Sequence, residues 1–135
     1  MTKDSKIRIN WMRGMYICTI IVAGLCGLGM LIMPGFIRSV NGWPADDPIF
    51  FGIVGSIWAA SGILAILGLR DPLKFSPLFL MQLFYKSLWF IFIFAPLAIA
   101  GKFPAYGMSF VVIFAIFIIG DIIATPFSYL FKKQS

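Results

Sequence analysis

Four apolar runs, each long enough to cross a bilayer as a helix, dominate this chain of 135 residues. A helix needs about 20 apolar residues to span the hydrocarbon core of a membrane. A soluble fold would have too little polar sequence to cover four such runs, because 61% of the residues are hydrophobic and 12% are charged. The sequence therefore predicts an all-α integral membrane protein built as a four-helix bundle.

We expect one transmembrane domain over residues 1–135, with antiparallel helices at about 11–33, 48–69, 77–100 and 108–131. Residues 34–48 have the Pro, Gly and Asn content of a structured loop. Asp47 before Pro48 is a helix-start signal, because aspartate is a favoured N-cap and proline suits the first helical position. The short turn at 71–77 predicts that the second and third helices are antiparallel neighbours. Pro126 should kink or loosen the end of the fourth helix.

Positive charges are concentrated at one end of the predicted bundle. An even number of helices places both termini and the turn after the second helix on the same side, with Lys3, Lys6, Arg8, Arg13, Arg70, Lys74, Lys132 and Lys133. The opposite side has Arg38 and Lys102. Cytoplasmic loops carry the excess of Lys and Arg, so we expect a bacterial inner-membrane protein with both termini in the cytoplasm. This topology explains the net charge of +6 without a nucleic-acid partner.

Several kinds of chemistry are excluded by residue content. The sequence has no histidine and no glutamate, and it has no P-loop, HExxH or CxxC motif. Cys18 and Cys26 are eight residues apart in one helix, about 12 Å along the axis, which is too far for a disulfide. We therefore expect no metal site, no cofactor and no established catalytic constellation.

Two charges interrupt the apolar runs. Lys86 lies about nine residues after the expected start of the third helix, and Asp121 about ten residues before the expected end of the fourth. Both should lie about 14–15 Å from the same boundary of the bilayer. Because charges at this depth usually face the bundle interior and find a partner, we predict an ion pair between them. The alternative is that the pair sets only the helix register.

Polar side chains at helical spacing accompany both charges. One face of the third helix carries Gln82, Tyr85, Lys86 and Trp89, and one face of the fourth carries Asp121, Thr125 and Ser128. Both faces extend toward the expected cytoplasmic end, which predicts a polar pocket that opens there. Trp58 is expected in the core of the second helix, where its N–H could serve such a pocket.

Small residues recur at four-residue spacing in the first two helices. The first helix has Thr19, Ala23 and Gly27, and the second has Gly52, Ser56 and Ala60, with Gly55 and Ala59 beside them. Small residues allow the close approach of helices in lipid. We expect the first helix to pack on the second, with a homodimer face as the alternative.

The stretch GSIWAASGILAILGLRDPLKFSPLFLMQL, residues 55–83, resembles the DoxX-like group of small four-helix bacterial membrane proteins. The likeness is in the four-span layout and in a Gly/Ala-rich helix followed by an Arg-containing turn. The resemblance implies a four-helix bundle and, from some members of the group, an accessory role beside membrane redox enzymes. It supplies no catalytic residue that can be matched here.

The sequence favours a non-enzymatic membrane protein, either an accessory subunit or a lipophilic-ligand binder with Lys86 and Asp121 at its pocket. Expected partners are membrane lipids, a lipid or quinone ligand, and a membrane-protein partner or a second copy of the chain. One alternative is a small transporter or channel that uses Asp121 for a proton or cation. Another is an enzyme acting on a lipid or quinone, with Asp121 as acid or base and Lys86, Tyr85 or Tyr129 as the second titratable group.

Overall fold

A computed structural model describes residues 8–44 and 47–133, and the described residues form helices joined by turns, without a strand. The helices are α1 (Ile9–Ile32), α2 (Pro34–Asn41), α3 (Pro48–Arg70), α4 (Pro77–Ile99), α5 (Met108–Ala124) and α6 (Phe127–Leu130). Four of them, α1, α3, α4 and α5 with the turn before it, are long and apolar enough to cross a membrane. The predicted all-helical class is confirmed. Lys3 and Lys6 of the basic cluster lie outside the described residues.

The predicted start of α3 is confirmed in detail. Asp47 Oδ1 accepts hydrogen bonds from the backbone N–H groups of Ile49, at 3.1 Å, and Phe50, at 3.3 Å. Pro48 is the first helical residue. The Asp47 carboxylate thus accepts from two of the first backbone N–H groups of the helix, which have no partner within the helix itself.

The predicted loop at 34–48 contains a further helix, α2. Pro34 occupies its first turn, where proline is well tolerated. The last helical residue is Asn41, and the Gly42 that follows it adopts a left-handed conformation with φ 68°. Glycine accommodates this conformation without a side-chain clash and so terminates helices efficiently.

The fourth long helix is shorter than predicted. It ends at Ala124 and not near residue 131, because Thr125 is extended, with φ −67° and ψ 122°. The following Pro126 explains the break, since proline disfavours helical geometry in the residue before it. The Thr125 hydroxyl donates to the carbonyl of Asp121, and the chain resumes as the short helix α6.

The four long helices pack in the order α3, α1, α5, α4. Helix α1 packs against both α3 and α5, and α4 packs against α5, whereas α3 and α4 make few contacts with each other. The second and third long helices, predicted to be antiparallel neighbours, are joined by the short connection at 71–76 but make few contacts with each other.

Tyr16 of α1 explains this separation. Its fully buried ring stacks on Phe79 of α4, with centroids 4.5 Å apart, and lies against Gly68 of α3, where any Cβ would clash with it. Its hydroxyl donates to the Pro72 carbonyl in the turn, at 2.7 Å. The ring thus occupies the space between α3 and α4 beside their connection. A cluster of buried residues lies at this end of the bundle and includes Met12, Met15, Tyr16, Leu78, Phe79, Phe117 and Ala124.

Helices α1 and α3 approach closely along glycines. A Cβ on Gly62 would lie 2.5 Å from the Gly24 Cα, and a Cβ on Gly27 would lie 2.7 Å from the Gly55 carbonyl oxygen. The predicted packing of the first helix on the second is confirmed. The contacting face of α3 is Gly55, Ala59 and Gly62, however, while Ser56 and Ala60 of the predicted face are exposed.

Gly27→Ala should destabilise the protein, because the added methyl group would meet the backbone of α3 at Gly55 and Ala59. Overpacking of this kind costs about 1–3 kcal/mol. Gly52→Ala is the matched control, since a Cβ there meets nothing within 4 Å. Thermal unfolding in detergent, followed by tryptophan fluorescence, should show a lower Tm for the first variant alone. Equal Tm values for the two variants would contradict the close packing of α1 on α3.

Candidate functional site

Lys86 of α4 is enclosed by aromatic rings in the interior of the bundle. Its side chain is 3% exposed. The Nζ atom lies 4.5 Å from the centre of the Tyr85 ring, 4.7 Å from that of Phe117 and 5.4 Å from that of Phe114. An ammonium group over ring faces is attracted by their negative potential, and the attraction grows when water is excluded. Rings of α4 and α5 therefore offset part of the cost of burying this charge.

A chain of hydrogen bonds links Lys86 to α1. Lys86 Nζ donates to Gln82 Oε1 at 2.9 Å, Gln82 Nε2 donates to Thr19 Oγ1 at 3.3 Å, and Thr19 Oγ1 donates to the Met15 carbonyl at 2.8 Å. Gln82 and Thr19 are both fully buried. Each side chain in this series of hydrogen bonds, from Lys86 through Gln82 to Thr19, thus has a partner. Buried polar groups in proteins are generally satisfied in this way.

Asp121 of α5 has a different environment. Its side chain is completely buried, and neither carboxylate oxygen has a hydrogen-bond partner among the described residues. Its backbone carbonyl, in contrast, accepts from both the N–H and the hydroxyl of Thr125. A buried carboxylate without a donor is costly while it is ionised, so this group requires a counter-charge, a proton or a bound species.

The predicted ion pair between Lys86 and Asp121 is not a direct contact. Lys86 Nζ donates hydrogen bonds to Gln82 Oε1 at 2.9 Å and to the Tyr85 hydroxyl oxygen at 3.1 Å. The carboxylate of Asp121 accepts no hydrogen bond from the described residues. The two side chains are on adjacent packed helices and are close enough to interact electrostatically. The structure thus confirms that both charged side chains are buried, whereas a direct contact between them is not among the contacts of the described residues.

A cavity of about 960 Å³ lies between α3, α4 and α5. Its volume is at the upper end of the range typical of small-molecule sites, about 300–1,000 Å³. Among the described residues that line it, none is charged, and the aromatic ones are Trp43, Trp58, Tyr85, Trp89, Phe92, Phe103, Tyr106, Phe110 and Phe114. The site is thus suited to a largely apolar molecule.

The cavity opens sideways, through the gap between α3 and α4. Ile57 on α3, and Met81 and Leu88 on α4, line the cavity and are also 48%, 39% and 53% exposed. These residues form the rim on the two sides of the gap. The opening exists because α3 and α4 separate beyond their connecting turn. Side chains on both sides of the gap thus belong both to the cavity wall and to the outer surface of the bundle.

Position and polarity of this cavity differ from the prediction. The sequence predicted a polar pocket at the end of the bundle that holds the termini. The cavity is apolar and lies toward the opposite end, where Trp43 and the residues 103–107 contribute to its wall. The buried core around Tyr16 lies at the end nearer the termini.

Tyr85 connects the cavity to the buried charge. Its ring lines the cavity, and its hydroxyl oxygen accepts a hydrogen bond from Lys86 Nζ at 3.1 Å. Trp58 of α3 also lines the cavity. The cavity wall thus includes a hydroxyl group that is hydrogen-bonded to the buried charge of α4.

The other predicted site residues have separate positions. Trp89 lines the cavity and packs edge to face on Phe114, with ring centroids 5.2 Å apart. Thr125 is buried and bonds to the α5 backbone. Ser128 is exposed in α6, beyond the break at Pro126, and is not part of the site. The structure therefore brings together Gln82, Tyr85, Lys86, Trp89 and Trp58, with Asp121 nearby.

Sequence reasoning missed most of the cavity wall. Phe110 of α5 packs on Trp43 and Trp58. Phe114 of α5 packs on Trp58, Tyr85 and Trp89. The four-residue spacing of Phe110 and Phe114 placed them on one helical face. That signal was available, together with an aromatic content of 17%. No group of three or more Cys, Asp or Glu side chains within 8–44 and 47–133 is arranged to hold a metal ion.

Lys86→Met should destabilise the protein, because it removes the donor to Gln82 and Tyr85 and a positive charge that interacts with Asp121. A buried polar group left without its partner costs about 1–3 kcal/mol. In an Asp121→Asn background the same substitution should cost about 0.5–3 kcal/mol less, since the two charges are coupled. Denaturant unfolding of the two single variants and the double variant measures the difference. Strictly additive losses would show that the charges act independently.

No protein-family model, curated protein or solved structure matches this chain. The assignment of a function therefore depends on the geometry of the cavity and of the two buried charges.

Proposed function

We propose that this protein is a non-enzymatic, multi-pass membrane protein that binds a lipophilic molecule in the cavity between α3, α4 and α5. The observation that carries the proposal is the combination of aromatic lining, a volume of about 960 Å³ and a lateral opening between two apolar helices. A cavity open to solvent would suit a water-soluble ligand. A cavity open between membrane-spanning helices receives its ligand from the lipid phase.

The proposed location is the bacterial inner membrane, with both termini in the cytoplasm. The distribution of Lys and Arg in the sequence supports this orientation. The cavity then lies in the half of the bilayer farther from the cytoplasm, since its wall includes Trp43 and the 103–107 connection. Ligand candidates are therefore lipids and other isoprenoid or quinone-like molecules of that leaflet.

An accessory role is compatible with the same cavity. The resemblance to DoxX-like proteins supports a subunit that works beside a membrane enzyme, and a bound lipophile is the species that such a subunit would hold or deliver. Exposed apolar side chains on all four long helices leave room for a partner as well as for lipid.

Leu88→Trp should reduce ligand occupancy, because the larger ring would fill the rim of the cavity on α4. Native mass spectrometry of the protein extracted in a mild detergent, with bound molecules identified after release, measures occupancy. We expect a stoichiometric lipophile on the unmodified protein and at least a tenfold lower occupancy in the variant, about 1.4 kcal/mol.

Ile91→Trp is the matched control, because Ile91 is on the same helix and 60% exposed but does not line the cavity. It should retain the bound molecule. An empty unmodified protein, or equal loss in both tryptophan variants, would contradict a ligand site at this cavity.

A second candidate function is proton or cation transfer through Asp121. The specific observation is a completely buried carboxylate with no hydrogen-bond donor among the described residues. Groups of this kind inside membrane-spanning helices commonly belong to proton or ion pathways. Lys86 would act as the counter-charge that holds the site when no proton or cation is bound.

Asp121→Asn should abolish transport while the fold is kept, because the amide is similar in shape and carries no charge. Proteoliposomes containing a pH-sensitive dye measure proton uptake driven by an imposed membrane potential. Asp47→Asn is the control, since asparagine is an equally good N-cap and the position is exposed. Absence of uptake by the unmodified protein, or unchanged uptake in Asp121→Asn, would rule out this function.

A further inference from the structure

We propose that the cavity selects uncharged lipophiles that carry a carbonyl-type oxygen, and that Tyr85 is the residue that binds this oxygen. The inference rests on the proposed lipophilic-ligand function and specifies the chemistry of the ligand. It follows from the hydrogen bonds of one side chain, the Tyr85 hydroxyl.

The Tyr85 hydroxyl oxygen acts as an acceptor toward Lys86. A lysine ammonium has donors and no acceptor, so Lys86 Nζ must donate to it, at 3.1 Å. The hydroxyl keeps its own proton, and within 8–44 and 47–133 no hydrogen bond donated by Tyr85 is formed.

Tyr85 lines the cavity, whereas Lys86 does not line it and contacts the lining residues Tyr85 and Phe114 from the interior of the bundle. In this proposal the hydroxyl proton of Tyr85 is donated to a ligand in the cavity. An O–H group whose oxygen accepts from a cation is a stronger donor, because hydrogen bonds in series polarise one another. The Tyr85 hydroxyl thus offers one strengthened hydrogen-bond donor to a molecule that is otherwise surrounded by aromatic rings.

The charge balance favours a neutral oxygen over a carboxylate. Lys86 already donates hydrogen bonds to Gln82 and Tyr85 and lies over the faces of three aromatic rings. Asp121 is a negative charge that interacts with it. An anionic head would have to lose its hydration in a cavity whose lining carries no positive residue. That loss costs several kcal/mol per ion. A neutral ester or ketone oxygen needs one donor, which Tyr85 supplies.

The test uses three brominated chains of equal length that differ in the head: dibromo-octadecane, dibromostearic acid and its methyl ester. Bromine quenches tryptophan fluorescence at short range, and Trp43, Trp58 and Trp89 line the cavity. In lipid nanodiscs containing the unmodified protein, the ester should bind saturably and about three- to tenfold more tightly than the alkane, as expected for one hydrogen bond. The ionised acid should bind more weakly than the ester.

Tyr85→Phe should remove the advantage of the ester and leave binding of the alkane unchanged. Tyr106→Phe is the matched control, because Tyr106 also lines the cavity and its ring packs on Trp43, at 6.0 Å, remote from Lys86. It should keep the preference for the ester. A carbonyl-labelled ester should also show an infrared shift to lower frequency when bound to the unmodified protein, which tests the hydrogen bond even if Tyr85→Phe fails to fold.

The outcomes separate this inference from the proposed function. If all three chains bind saturably and equally, or if Tyr85→Phe keeps the preference for the ester, the cavity binds lipophiles and the role of Tyr85 is wrong. Stronger binding of the acid than of the ester overturns the preference for a neutral head. If none of the chains quenches saturably, the proposed function itself fails.

Discussion

The packing of Tyr16 between α3 and α4 is the contact on which the rest of the architecture depends. The ring stacks on Phe79, occupies the space that a side chain at position 68 would need, and holds the connecting turn through the Pro72 carbonyl. Two helices joined by a short turn would otherwise pack along their whole length. Because the ring separates them near the turn, they diverge toward the other end and leave the space that becomes the cavity.

The two buried charges at the α4–α5 interface are compensated unequally. Lys86 contacts aromatic rings and donates to Gln82, which in turn donates to Thr19, so its charge has partners without a direct carboxylate contact. Asp121 has no such compensation. In the functions proposed above, the two residues therefore have different roles. Lys86 donates to the Tyr85 hydroxyl at the cavity wall, whereas Asp121 is the candidate site for a proton or cation.

Features governed by local sequence were predictable. Asp47 and Pro48 define a helix start through their own backbone and side-chain preferences, and the apolar runs define the long helices by length. Pro126 was recognised as a disruption, although its effect on Thr125 ended the helix earlier than expected. The existence of buried charges at positions 86 and 121 also followed from the sequence alone.

Features governed by the choice between similar helical faces were not predictable. Gly52, Ser56 and Ala60 form one small face of α3, and Gly55, Ala59 and Gly62 form an equally small face beside it. Nothing local distinguishes them, and α1 selects the second. The same limitation explains the cavity, since its position depends on where the Tyr16 ring comes to lie among helices distant in sequence.

A structure determined experimentally in lipid nanodiscs is the most direct test of the central claim, that α3 and α4 separate to form a cavity open to lipid. The account predicts elongated non-protein density among Trp58, Tyr85 and Phe114 that passes out between Ile57 and Leu88. Helices α3 and α4 packed together along their length, with the aromatic rings filling the space between them, would contradict it.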